Sequence, residues 1–176
     1  AHRAPGPHVG RDADRRPLLA RRLVVKRALP SRDELFELLG TVMDPEVPVL
    51  SVVELGIVRD AVATDDGVTI TITPTYSGCP AMREIESAVR RAVEEQGFGP
   101  VEIRTTYSPA WTTDWMSEGA RVKLESYGIA PPQRTSNELV PLMRRAASVR
   151  CPYCKSMRTE LKSAFGSTAC KSIWVC

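Results

Sequence analysis

Histidine is nearly absent from this sequence, which contains only His2 and His8. Histidine is the side chain that most readily exchanges protons near neutral pH, so catalysis by a histidine acid or base has no support here. Internal repeats and a glycine-rich loop that could cradle phosphate are also missing. No apolar run is long enough to span a bilayer, and no signal peptide is recognisable. The sequence therefore predicts a cytoplasmic protein without a membrane partner.

The basic charge of the chain is concentrated at its beginning. The formal net charge is +3, but residues 1–30 hold eight Lys or Arg against two Asp, and the remainder is mildly acidic. This Arg- and Pro-rich segment is predicted to be a flexible leader. Nucleic-acid binding through Arg15, Arg16, Arg21 and Arg22 is one interpretation. A solvated or partner-docking arm is favoured, because no aromatic side chains are interleaved and no nucleic-acid recognition module is recognisable.

Length and composition allow one folded core and one small module. The chain has 176 residues, of which 43% are hydrophobic. A chain of this length and composition cannot build the cores of two full domains. Periodicity and shifts in composition divide it into a basic leader over 1–30, an α+β domain over 31–129, a linker over 130–148 and a cysteine-rich module over 149–176.

Hydrophobic periodicity predicts the elements of the α+β domain. In chain order these are a helix over 32–43, strands over 57–62 and 68–73, a helix from Pro80, a strand over 101–107 and a helix from Trp111 to about Tyr127. A capping box of Ser31 and Glu34 starts the first helix, and an exposed turn over 44–48, containing Pro45, follows it. The order predicts an α+β fold, with helices on one face of a small sheet.

Cys79 lies directly before Pro80, a residue suited to the first position of a helix. The dipole and free N–H groups at a helix amino end favour a thiolate, so Cys79 is a candidate nucleophile or soft-metal ligand. A half-buried structural cysteine is the alternative. A thiol enzyme has the least support, because no histidine or second cysteine lies nearby in sequence to act as a base or resolving thiol.

Four of the five cysteines lie in the module over 149–176, at Cys151, Cys154, Cys170 and Cys176. Two thiolates separated by two residues can bind one metal ion, and a tetrahedral site takes two further ligands. The spacing predicts a zinc-ribbon-like module in which Cys151 and Cys154 bind zinc with Cys176. The fourth ligand is either Cys170 or a residue beyond Cys176. Two disulfides and unliganded thiols are the alternatives. Disulfides are disfavoured because no signal peptide is recognisable and Cys79 lies in a different kind of segment.

Trp111 and Trp115 lie four residues apart at the start of the predicted third helix, a spacing that places them on one side of it. They could form a partner surface, because aromatic anchors supply much of the energy of specific interfaces. Burial in the core is the alternative and is the commoner fate of tryptophan. If the pair binds a partner, at least one ring is expected to be partly exposed beside the Cys79 loop.

Two sets of motifs resemble known families. The first set resembles the metal-sulfur cluster assembly factor domain of SufT and of cytosolic iron–sulfur targeting factors, over about 32–108. Its motifs are Asp44-Pro45-Glu46, Leu55-Gly56, Thr73-Pro74-Thr75 and Gly78-Cys79-Pro80. The second set is similar to the PaaD family, small proteins encoded with the phenylacetyl-CoA epoxidase system. Its motifs are SPAWTTDW over 108–115, CPYC over 151–154 and FGSTACK over 165–171.

The resemblance implies a non-catalytic accessory protein that helps to load or repair an iron–sulfur centre in phenylacetate catabolism. Its partners would be the oxygenase and reductase components of the epoxidase and the iron–sulfur assembly machinery, with the [2Fe–2S] reductase as client. Cys79 would hold a transient cluster or iron, with Asp44 and Glu46 as oxygen ligands or as a cap over it, while the C-terminal cysteines hold a structural zinc. A structural or regulatory subunit bound stably to the oxygenase complex is the alternative.

Overall fold

The computed structural model describes residues 28–132 and 148–176. Within them the chain forms α1 (Arg32–Leu39), β1 (Val58–Thr64), β2 (Gly67–Ile72), α2 (Met82–Glu95), β3 (Val101–Thr105), α3 (Glu118–Ser126), β4 (Glu160–Ser163) and β5 (Ile173–Val175). None of these helices combines the length and the apolar character needed to cross a membrane. Most of the predicted leader, including Arg15, Arg16, Arg21 and Arg22, and most of the predicted linker lie outside the described residues.

Helix α1 begins where the sequence predicts and ends earlier. The Ser31 hydroxyl accepts a hydrogen bond from the Glu34 N–H, and the Glu34 carboxylate accepts one from the Ser31 N–H, which confirms the capping box. The helix ends at Leu39 rather than near position 43. Gly40 follows as the capping residue, and glycine is a poor helix former, so the next residues close a tighter turn.

Strands β1, β2 and β3 form one mixed sheet in that order. β1 pairs antiparallel with β2, which confirms the predicted hairpin, and β2 pairs parallel with β3. Parallel pairing requires a crossover connection, and α2 supplies it. Val68, Ile70 and Ile72 of β2 are buried, so the alternating apolar face of this strand covers the core.

Helices α1 and α2 pack on the sheet, which confirms the small α+β fold. Ile85, Val89 and Val93 recur at helical spacing on α2 and are at most 1% exposed. The start of this helix differs from the prediction. It begins at Met82, because Pro80 belongs to a turn that precedes the first helical residue.

The predicted third helix is divided in two. A 3₁₀ turn covers Thr113–Trp115, and α3 begins only at Glu118. The Ser117 hydroxyl accepts a hydrogen bond from the Ala120 N–H at 3.0 Å and so caps α3. A capping residue has a non-helical backbone, and the continuous helix predicted from Trp111 is therefore wrong.

The cysteine-rich segment folds as a small ribbon against the end of α3. Strands β4 and β5 pair antiparallel, and a turn over 151–156 precedes them. Lys155 Nζ lies 2.8 Å from Glu125 Oε1 on α3. Gly128 follows α3 with a φ of +88°, and any side chain there would collide with the Tyr153 hydroxyl. The ribbon therefore packs closely on the α+β domain.

Candidate functional site

The turn that carries Cys151 and Cys154 has the backbone of a metal-binding knuckle. The Cys151 N–H donates to the Ser156 carbonyl at 2.9 Å, and the Lys155 N–H donates to the Cys151 carbonyl at 3.0 Å. Lys155 closes the turn with a φ of 59°. Hydrogen bonds from the backbone N–H groups of Cys154 and Tyr153 to the Cys151 sulfur lower the pKa of Cys151 to about 7. The knuckle thus favours a thiolate near neutral pH.

Cys176, directly after β5, joins this turn. The Sγ atoms of Cys151, Cys154 and Cys176 all lie within 4.8 Å of one another. Hydrogen bonding to Cys151 and Cys154, together with their negative charge, raises the pKa of Cys176. Three thiolates this close repel one another, and a bound cation would remove that repulsion.

The three thiols fit a tetrahedral metal ion. Zinc–sulfur bonds of about 2.3 Å at tetrahedral angles place two sulfurs about 3.8 Å apart. The Sγ atoms of Cys154 and Cys176 are 3.8 Å apart. Within residues 28–132 and 148–176, no further His, Cys, Asp or Glu joins the group. Cys170, the predicted alternative fourth ligand, is not part of this group, and its Sγ lies 3.0 Å from Thr168 Oγ1 in the loop between β4 and β5.

Asp44 is buried at the turn that follows α1. Only 6% of it is exposed, and Val47 is buried as well, so the exposed turn predicted for 44–48 is wrong at these two residues. Its Oδ1 accepts hydrogen bonds from the Glu46 N–H at 2.9 Å and the Val47 N–H at 2.7 Å. Burial raises the pKa of Asp44, and these two donors act in the opposite direction. The carboxylate therefore fixes the turn that carries Glu46.

Cys79 and Tyr76 lie together in the loop before α2. Cys79 is half-buried, and its carbonyl accepts a hydrogen bond from the Met82 N–H at 3.4 Å, at the start of the helix. Burial raises the pKa of Tyr76, as do the charge and hydrogen bonding of Cys79 and the charges of Cys170 and Glu46. The two thiols and the carboxylate therefore lie within electrostatic range of the Tyr76 hydroxyl.

A groove of about 790 Å³, which we call the Cys79 groove, lies between the α+β domain and the ribbon. Its lining includes Asp44, Glu46, Tyr76, Cys79 and Trp111 from the domain, and Cys170 and Lys171 from the ribbon. The structure thus brings the predicted residues Cys79, Asp44 and Glu46 to one groove. It also adds a thiol, a phenol and an ammonium that the prediction did not place there.

Lys171 connects the loop between β4 and β5 to the turn after α1. Its Nζ donates to the Glu46 carbonyl at 3.0 Å, across 125 positions of the sequence. Burial raises the pKa of Asp44, and the charge of Lys171 opposes that shift. An ammonium at this position favours the charged form of the Asp44 carboxylate.

The two tryptophans predicted to bind a partner have different surroundings, although both are half-buried. Trp111 Nε1 donates to the Leu55 carbonyl at 2.9 Å, and its ring packs against the core and lines the Cys79 groove. The ring of Trp115 lies 3.5 Å from the Arg59 guanidinium carbon. Neither residue belongs to α3, so the prediction that both lie on one side of a helix is wrong. Of the two, Trp111 is the one that lines the Cys79 groove.

We expect Trp111→Ala to lower the free energy of unfolding by about 2 kcal/mol, because it removes half-buried packing and leaves the Leu55 carbonyl without its donor. Trp115→Ala is the matched comparison and should cost about 1 kcal/mol, since it mainly loses the contact with Arg59. Urea denaturation of both variants measures the difference. Equal stability of Trp111→Ala and the parent protein would contradict a core role for Trp111.

Two residues of the groove were not predicted from the sequence. Tyr76 precedes Cys79 in the same short loop, and a phenol so close to a candidate metal-ligating thiol is a signal that could have identified it. Lys171 directly follows Cys170. Its contact with Glu46 depends on how the ribbon packs on the domain, which no local pattern reveals.

Comparison with known proteins identifies both parts of the chain. A family model described as iron-sulfur cluster assembly protein matches residues 32–103, and one described as PaaD zinc beta ribbon domain matches residues 135–176. The crystal structure of a domain of unknown function from Bacillus anthracis is 30% identical, with a TM-score of 0.50, and covers 53% of this chain and 90% of that one. The fold and the cysteine cluster define the class of protein. It is an α+β domain of the iron–sulfur cluster assembly type, joined to a module of the zinc-ribbon type.

Relatives that match a larger part of the chain identify its family within this class. A 1,2-phenylacetyl-CoA epoxidase subunit of Escherichia coli is 46% identical over 151 residues, which are 85% of this chain and 88% of that protein. The Fe-S protein maturation auxiliary factor YitW of Bacillus subtilis is 35% identical over 95 residues, 53% of this chain and 92% of that protein. The chain belongs to the PaaD family of phenylacetyl-CoA epoxidase subunits.

Proposed function

We propose that this chain is a non-catalytic accessory protein that assists iron–sulfur cluster assembly or maturation in a phenylacetyl-CoA epoxidase system. One observation carries the proposal: the half-buried thiol of Cys79 opens into a groove that Glu46 and Asp44 also line. A thiolate with neighbouring carboxylates can bind iron without enclosing it. The similarity to Fe-S protein maturation auxiliary factors of Porphyromonas gingivalis and Bacillus subtilis supports the same role.

The cargo in this proposal is iron or an iron–sulfur cluster, bound at Cys79 with Glu46 and Asp44 as the oxygen ligands. A carrier must release its cargo, so its ligands have to be accessible to a receiving protein. Cys79 and Glu46 are both half-buried rather than enclosed. Asp44 is more buried and already accepts two backbone hydrogen bonds, so we assign it mainly to holding the turn that carries Glu46.

The second metal in this proposal is a structural zinc at Cys151, Cys154 and Cys176. A tetrahedral set of thiolates is the ligand set typical of structural zinc. The described residues supply three of the four ligands that such a site takes. The zinc would fix the knuckle and the end of β5, and would thereby hold the ribbon in the position from which Lys171 reaches Glu46.

A thiol enzyme is the less favoured function for the same groove. A cysteine nucleophile needs a base, and neither histidine of the chain belongs to the described residues around Cys79. Tyr76 does not substitute for a histidine base, because its surroundings raise its pKa and keep the phenol protonated at neutral pH. We therefore assign Cys79 to binding and not to catalysis.

Deleting the gene for this protein tests the proposed role in a host that expresses the oxygenase and reductase components. We expect the reductase to accumulate with little of its [2Fe–2S] cluster, measured as iron and sulfide per purified chain. Re-expression of the protein should restore the cluster. A reductase with full cluster content in the deletion strain would contradict the proposed function.

Size-exclusion chromatography distinguishes a maturation factor from a permanent subunit, the alternative function. We expect this protein to elute separately from the mature oxygenase complex, because a maturation factor leaves its client after delivery. Stable co-elution with the mature complex, together with normal cluster content in the deletion strain, would favour the structural or regulatory subunit.

A further inference from the structure

A second cysteine reaches the Cys79 groove from the ribbon. Cys170 lies in the loop between β4 and β5, is exposed, and lines the same groove as Cys79. It is not among the three thiols that gather at the knuckle. Cys151 and Cys176 of that group also line this groove, so the ribbon presents Cys170 and the knuckle to the same groove.

Hydrogen bonds hold the loop that carries Cys170 in place, both within the loop and between the loop and the α+β domain. Within the loop, the Gly166 N–H donates to the Lys171 carbonyl at 2.6 Å, and the Lys171 N–H donates to the Thr168 carbonyl at 3.2 Å. Between the modules, Lys171 Nζ donates to the Glu46 carbonyl at 3.0 Å. The residue next to Cys170 is thus anchored to the residue that supplies the candidate carboxylate ligand.

The groups around this point suit a soft or borderline metal. Cys79 offers one thiolate, Cys170 a second and Glu46 an oxygen, and these three residues line the groove together with Tyr76. Two thiolates with one oxygen ligand bind ferrous iron or an iron–sulfur cluster better than one thiolate does, because thiolate is the softer ligand. The Lys171 ammonium, which is held at the Glu46 carbonyl, adds a positive charge to the same groove.

We infer that Cys170 is the second thiolate ligand of the cargo held at Cys79, so that the cargo site is completed across the contact between the α+β domain and the ribbon. This inference rests on the proposed function. It gives the zinc ribbon a specific role, since the ribbon positions Cys170 through the loop that Lys171 anchors. The apo groove holds two thiols, and each loses its proton when the metal binds.

The test is anaerobic reconstitution of the purified, zinc-loaded protein with ferrous iron and sulfide. Cys79→Ser and Cys170→Ser are compared with the parent protein and with Ser167→Ala, an exposed residue of the same loop. Bound iron, bound sulfide and the visible absorption spectrum are measured. We expect both cysteine variants to lose the bound iron and its absorption, and Ser167→Ala to keep them. Zinc content and circular dichroism should stay unchanged in all variants.

The outcomes separate this inference from the proposed function. If Cys79→Ser loses the iron and Cys170→Ser binds as much as the parent, the inference is overturned and the proposed function stands. If both variants keep the iron, the cargo site at Cys79 itself is refuted.

A second measurement does not depend on iron. Dibromobimane, which bridges two neighbouring thiols as each displaces one bromide, should link Cys79 to Cys170 in the zinc-loaded protein, as detected by peptide mapping. Absence of that bridged peptide would refute the pairing, even where Cys170→Ser proved poorly folded.

Discussion

Cys79→Ala is expected to abolish cluster insertion into the client reductase while this protein stays folded. The substitution removes one sulfur that would hold the cargo, and a single remaining thiolate with oxygen ligands is too weak a set to retain an iron–sulfur cluster. Cys79 is half-buried in a loop, so its truncation should change the free energy of unfolding by less than about 1 kcal/mol. The measurement is iron and sulfide per reductase chain, purified from cells in which this variant is the only copy.

The loop before α2 offers a matched control for that experiment. Ser77 is exposed two positions before Cys79, so Ser77→Ala perturbs the same loop without removing a thiol. The control should support normal reductase maturation. A reductase with its full cluster in cells carrying Cys79→Ala would show that Cys79 holds no essential cargo. Loss of the cluster in both variants would instead attribute the effect to the shape of the loop.

Cys151→Ser is expected to release the zinc and unfold the ribbon over 149–176 while the α+β domain stays folded. Cys151 is the buried member of the knuckle, 8% exposed, and its thiol has the pKa that is lowered to about 7. Apparent binding free energies of structural zinc sites are about 10–16 kcal/mol, which is more than a ribbon of two short strands can replace by packing. The α+β domain has its own apolar core and does not depend on that metal.

Metal analysis and hydrogen exchange measure the two parts of this expectation separately. The zinc content of Cys151→Ser should fall to near zero, and amides in the ribbon should lose protection while those of β2 keep it. Cys170→Ser is the informative control, because Cys170 lies outside the knuckle group and should leave the zinc in place. An unchanged zinc content in Cys151→Ser would contradict the assignment of the knuckle as a zinc site. Zinc loss in Cys170→Ser would show that Cys170 is a ligand of the zinc site.

The elements of the α+β domain were predictable because each depends on neighbours in the sequence. The capping box of Ser31 and Glu34 spans one helical turn, and the alternation of Val68, Ile70 and Ile72 reflects the two-residue period of a strand. Such patterns need only a few residues to be recognised. They predicted the hairpin and the amphipathic stripe of α2, and the structure confirms both.

The ends of the helices were less predictable, because several local tendencies compete there. Gly40 ends α1 before the apolar pattern does. Ser117 has the capping chemistry that starts a helix, and this outweighs the aromatic spacing that had placed Trp111 and Trp115 on it. The environment of each tryptophan then depends on contacts with Leu55 and Arg59, which lie far away in sequence.

The sequence by itself determined the chemistry of the two proposed cysteine sites. A thiol near a helix start at Cys79, and a pair of thiols two residues apart at Cys151 and Cys154, are fixed by local spacing and chain stiffness. Only the tertiary structure decided that Asp44 is buried and that Cys170 lines the groove of Cys79. These placements follow from the packing of the ribbon on α3 and from the contact of Lys171 with Glu46. Contacts across such sequence separations leave no period or motif in the chain, because they depend on the complementary shapes of two folded surfaces.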